Sequence, residues 1–103
     1  MNQHRIDFQT LPWQEPIPGL RFKAAVCGNR QLRLAEFTRQ MEPHWCEKGH
    51  IGYVLEGRME VQLDDETVVL SQGDGIFSLP GREHRHKARI LSDVVRVVFV
   101  EDV

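Results

Sequence analysis

The chain has little cysteine, a single tyrosine and no long apolar run. Two cysteines in 103 residues, Cys27 and Cys46, are too few for a disulfide framework. A Cys27–Cys46 bridge stays open on composition alone, but in a cytosolic setting both would be reduced thiols. No apolar stretch approaches the roughly 20 residues that a membrane span needs. The start, MNQHRIDFQT, lacks the basic region and apolar core of a signal peptide. The expectation is a cytoplasmic chain with no membrane partner. Charge of one sign is lacking too: 13 Lys and Arg face 15 Asp and Glu, a formal net charge of -2. That balance supplies no global attraction to nucleic acid. Arg82, Arg85, Lys87 and Arg89 form a local basic strip, but alternation turns three of them outward, where edge protection is their usual role. Without aromatic residues between them, single-strand binding is unsupported and nucleic acid is set aside.

What remains is an ordinary globular composition, 41% hydrophobic and 27% charged, at the length of one domain. Residues 1–20 read as an N-terminal arm. Pro12, Pro16 and Pro18 oppose regular ladder bonding there, and Trp13 is placed to anchor the arm. Residues 21–103 read as short strands separated by turns. RFKAAV alternates and stops at CGN. LRLAEF suits a helix by composition, but Pro43 and extended neighbours favour a strand. RMEVQL sets Met59, Val61 and Leu63 on one face, and DDE turns the chain into TVVLS, a hairpin. IFSLP and the β-branched VVRVVFV complete the set. This spacing predicts an all-β sandwich or barrel.

Histidine and cysteine are concentrated in PHWCEKGHIGYVLEG. In an extended chain, residues two apart share a side, so His44 and Cys46 face one way. His50 follows a glycine-containing turn and can return beside them. GREHRHKAR repeats the pattern, with His84, His86 and Ala88 on one face of an expected strand. Imidazole and thiolate are donors for Zn, Fe, Ni or Cu. For each residue there is a plainer role. A buried free cysteine is common. His86 reads as a substrate contact or an ordinary hydrogen-bonded histidine, Glu47 as a surface carboxylate, Trp45 as a cover, and Tyr53 and Phe77 as core.

These two motifs resemble those of the cupin superfamily. The first family motif is His-x-His, a Glu three or four residues on, then six residues and Gly. Here His44, Cys46, His50 and Gly57 stand at those places. The second motif is Gly, five residues, Pro-x-Gly, two residues and His. Here Gly73, DGIFS, Leu79-Pro80-Gly81, Arg82-Glu83 and His84 follow that order. The resemblance covers about Arg21 to Val100. It implies a double-stranded β-helix, or jelly-roll barrel, with His44, Cys46, His50 and His84 converging on one divalent transition metal (Zn, Fe, Ni, Cu or Mn). Cys46 stands in for a His and His50 for the Glu, so the single anionic ligand changes position while the charge of the site is kept.

The resemblance implies either a metal-dependent oxygenase, isomerase or lyase acting on a small molecule, or a non-catalytic binding or regulatory module. Fold alone does not choose between them. No catalytic acid or base is assigned from the sequence. A nucleophilic Cys46 activated by His44 or His50 ranks below metal ligation. The open edges of a small jelly roll and the arm with Trp13 predict a homodimer.

Overall fold

The computed structural model describes residues 4–103 and is built from nine strands in two antiparallel sheets. In chain order the strands are β1 (Gln14–Ile17), β2 (Leu20–Cys27), β3 (Arg30–Phe37), β4 (His50–Glu56), β5 (Arg58–Gln62), β6 (Thr67–Ser71), β7 (Gly75–Ser78), β8 (Lys87–Ile90) and β9 (Val95–Asp102). One sheet runs β1-β2-β3-β9-β4-β7 and the other β6-β5-β8. Their inner faces pack against each other as a jelly roll. The only helical pieces among the described residues are 3-10 turns at Phe8–Thr10 and Arg82–His84. None is long and apolar enough to cross a membrane.

The ambiguous LRLAEF stretch is strand. It lies in β3 between β2 and β9, and continuous ladders on both sides hold it extended despite its helix-favouring residues. β9 lies inside the larger sheet between β3 and β4, and its burial alternates along most of its length. Val95, Val97, Phe99 and Glu101 are buried, while Arg96, Val100 and Asp102 are exposed. Val54, Val95 and Val97 are fully buried, and each contributes about 1.5–3 kcal/mol by leaving water. The expected hairpin pairs β5 with β6, from Arg58↔Ser71 to Gln62↔Thr67.

Two expectations fail here. The arm is not wholly irregular, because Gln14–Ile17 adds β1 to the edge of the larger sheet with a break in register. An edge strand has one unpaired side, so the missing N–H of Pro16 is tolerated. Trp13 lies on the same chain's body, with the Arg21 guanidinium 4.0 Å and the Lys23 ammonium 4.9 Å from its ring. Residues 1–3 of the arm lie outside the described residues.

Tyr53 and Phe77 are not core: they are 49% and 73% exposed. In β4 the inward positions belong to Gly52 and Val54, so Tyr53 faces out. Phe77 pairs with Ile51 on that same outer face. Gly52 is needed where it stands, since a Cβ there would meet the Val98 carbonyl oxygen at 2.8 Å and the Phe99 ring at 2.9 Å. Gly57 closes β4 at φ +89, a conformation that suits glycine.

Candidate metal centre

Cys46 and His86 are locked together by the backbone. The Cys46 N–H donates to the His86 carbonyl at 2.8 Å, and the His86 N–H donates back to the Cys46 carbonyl at 2.9 Å. A reciprocal pair of this kind sets both side chains on the same side of the ladder. His50, the first residue of β4, completes the group. One ligand atom from each of Cys46, His50 and His86 lies within 4.8 Å of the other two. The His50 and His86 rings meet edge to face at 5.3 Å.

The four residues expected from the motifs are not all brought together. Cys46 and His50 are in the group. His44 lines the same cavity but is exposed, with Nδ1 3.2 Å from the Glu42 carbonyl oxygen. His84 ends the Arg82–His84 turn, with its Nε2 4.0 Å from Glu83 Oε1 and its side chain 43% exposed. An unbroken strand from His84 would have put His84 and His86 on one face. The 3-10 turn rotates His84 out of that pattern, and His86 is the residue that reaches Cys46. Among the described residues, His86 Nδ1 is the one buried side-chain nitrogen or oxygen without a hydrogen-bond partner. The ring also hydrogen-bonds the Cys46 side chain, so His86 is bonded on one side and keeps one buried nitrogen without a partner.

Behind His50 stands a residue that the motifs did not include. Glu101 has a fully buried side chain, and its Oε2 lies 2.6 Å from His50 Nδ1. Gln31 and Arg33 also donate to it, Arg33 through Nε and Nη2. Lys48 Nζ is 3.7 Å away. The Arg33 guanidinium lies between the Phe22 and Phe99 rings, at 5.0 and 4.9 Å. Burial alone would push the Glu101 carboxyl up, but the bonds from His50 and then Arg33 outweigh it and hold it down at about 2.

The same competition acts on Cys46 and His50. The imidazoles of His50 and then His86 lower the Cys46 thiol to about 5, overcoming its partial burial. For His50, burial disfavours the cation, but Cys46 and Glu101 reverse that and raise it above its ordinary value. Cys46 is therefore a thiolate near neutral pH. Both cysteines are free, and Cys27 is exposed far along β2. Trp45 is turned outward beneath Arg85 and Lys87, at 4.3 and 4.7 Å. Arg85 and Arg89 also pair with Asp64 and Glu60, so much of the basic strip is neutralised locally.

The group opens onto a cavity of about 530 Å³ between the two sheets. A double-sheet jelly roll with a histidine- and cysteine-bearing interior defines the class, and sequence comparison agrees. Residues 33–101 match the family model described as Cupin domain. The chain belongs to the cupin family. Among solved structures, it is similar to KdgF from Halomonas sp. at 27% identity and a TM-score of 0.72, covering 99% of this chain and 91% of that one. An RmlC-like cupin from Shewanella frigidimarina NCIMB 400 matches at 17% identity and a TM-score of 0.75, over 98% and 91% of the two chains. The polyketide cyclase RemF from Streptomyces resistomycificus matches at 22% and 0.73, over 95% and 78%. The last two likenesses are of fold alone. No curated protein matches the chain.

Proposed function

We propose that the protein holds one divalent transition metal through Cys46, His50 and His86 and acts as a metal-dependent enzyme on a small molecule in the adjoining cavity. The observation that carries this reading is the gathering of ligand atoms from Cys46, His50 and His86 within 4.8 Å of one another at a cavity wall. The donor set fits: a thiolate and two imidazoles suit Zn, Fe, Ni or Cu better than Mn. Three protein donors facing a cavity are the pattern of catalytic sites, whereas structural zinc sites are closed by four. When bound, such an ion would polarise a substrate oxygen. The chain's own residues orient the ligands and exclude water: Glu101 holds the His50 ring, and Phe99, 4.8 Å from that ring, covers it.

A second reading rests on the same carboxylate. Cys46, His50 and Glu101 form a thiolate, an imidazole and an orienting acid in sequence, the order a cysteine nucleophile requires. Elemental analysis of the freshly purified protein separates the two. The metal reading expects an equimolar transition metal that shields Cys46 from iodoacetamide until a chelator removes it. Metal-free protein with a rapidly alkylated Cys46 supports the nucleophile instead.

A further inference from the structure

Apart from the Cys46 thiolate and its imidazole partners, the charged side chains that line the cavity among the described residues are Arg33 and Lys48, and no carboxylate side chain of those residues lines it. Glu101, behind the wall, is a single buried anion between these two cations, so this trio carries one net positive charge, while the Cys46 thiolate is offset by the divalent ion proposed above. The Arg33 bonds to Glu101 use Nε and Nη2, so Nη1 carries two further N–H donors. Most of the rest of the wall is apolar, with Leu20, Phe37, Met41, Met59, Leu70 and Ile76 from both sheets, and Gln31, His44 and Ser78 are its polar side chains away from the ligand group. Those three polar side chains are few for a run of sugar hydroxyls. A polyol would leave its hydroxyls unpaired, which is costly, and a cationic ligand would meet like charge.

We propose that the cavity takes a small monocarboxylate with an apolar body, an aryl- or alkyl-substituted short-chain acid, its carboxylate at Lys48 and Arg33 and its body among Met41, Met59 and Leu70. This inference rests on the reading of the cavity as the substrate chamber of the metal site. The volume of about 530 Å³ lies in the range of small-molecule pockets. Lys48 lines the cavity with its side chain half exposed, so its ammonium is open to an anion. Arg33 is held rigidly by its two aromatic neighbours, so its remaining donors are already oriented.

The test is calorimetric titration of the full chain, both chelator-treated and metal-loaded, with 3-phenylpropionate, 3-phenyl-1-propanol and D-glucuronate. The expected result is 3-phenylpropionate binding about tenfold or more tighter than either of the others, the difference a charge-assisted bond supplies. Lys48→Met should erase about that preference. The methionines are few, so the methyl resonances of Met41 and Met59 can report the position of the ring, and both should shift on binding. Equal binding of the alcohol, tighter binding of glucuronate, no binding by any probe, or unshifted Met41 and Met59 methyls would overturn the proposal. The chelator-treated arm separates the two readings. Retained selectivity in a protein that takes up no metal sinks only the metal reading, and metal uptake without selectivity sinks only this one.

Discussion

Oε2 of Glu101 sits 2.6 Å from Nδ1 of His50, on a carboxylate with no solvent exposure. That contact fixes which ring nitrogen carries the proton and leaves Nε2 as the lone-pair donor. Because Arg33 and Gln31 hold Glu101 in turn, the ring orientation is determined by β3 and β9 together rather than by the loop before β4. Glu101→Gln keeps the shape but loses the charge. Metal affinity should fall by about 10–100-fold, read by competition with a chromophoric chelator. Unchanged affinity would show that the contact is structural only.

Gly52 offers an independent handle on the same wall. A methyl group there has no room against Val98 and Phe99, and overpacking of this kind costs about 1–3 kcal/mol. Gly52→Ala should lower the unfolding free energy read from a denaturant titration by that amount. It should also weaken metal binding, because Phe99 abuts the His50 ring. A destabilised variant with full metal affinity would mean that the ring can move without disturbing the ligands.

Acid stability has a separate source. Glu36 is buried, which pushes its carboxyl up, but hydrogen bonds from Arg96 and Arg21 prevail and lower it. A carboxyl held lower in the folded state adds stability above its ordinary value of 4.5, and that stability is lost as the pH falls through the lowered value. Glu36→Gln should therefore cost about 2 kcal/mol near neutral pH, and its stability should fall less steeply below pH 4.5 than that of the wild type. Parallel acid-unfolding curves for the two proteins would refute the assignment.

Much of this fold is written in local alternation. RMEVQL keeps a period of two, and in the β-branched VVRVVFV the one charged residue, Arg96, marks the outward face that β9 adopts. Carried two residues further, the second run places Glu101 inward with Val97 and Phe99, so the buried carboxylate was readable. The neighbours of Glu101 were not. Arg33 and Gln31 reach it only because β3 pairs with β9 in the register Gln31↔Glu101, a non-local choice that no short motif states. The histidines fail differently. Alternation through GREHRHKAR assumes a strand from His84, and a single 3-10 turn is enough to change which histidine faces Cys46. Tyr53 and Phe77 look like core by type, yet period two places Tyr53 opposite buried Val54, facing out.

The central claim is the ligand set itself, and cobalt substitution tests it most directly. Cobalt-loaded wild type should show a thiolate-to-cobalt absorption band in the near ultraviolet. That band should vanish in Cys46→Ala, while His86→Ala binds cobalt far more weakly and His84→Ala binds it as wild type does. A wild-type spectrum without the band, or a His84→Ala protein that loses cobalt while His86→Ala keeps it, would contradict the account.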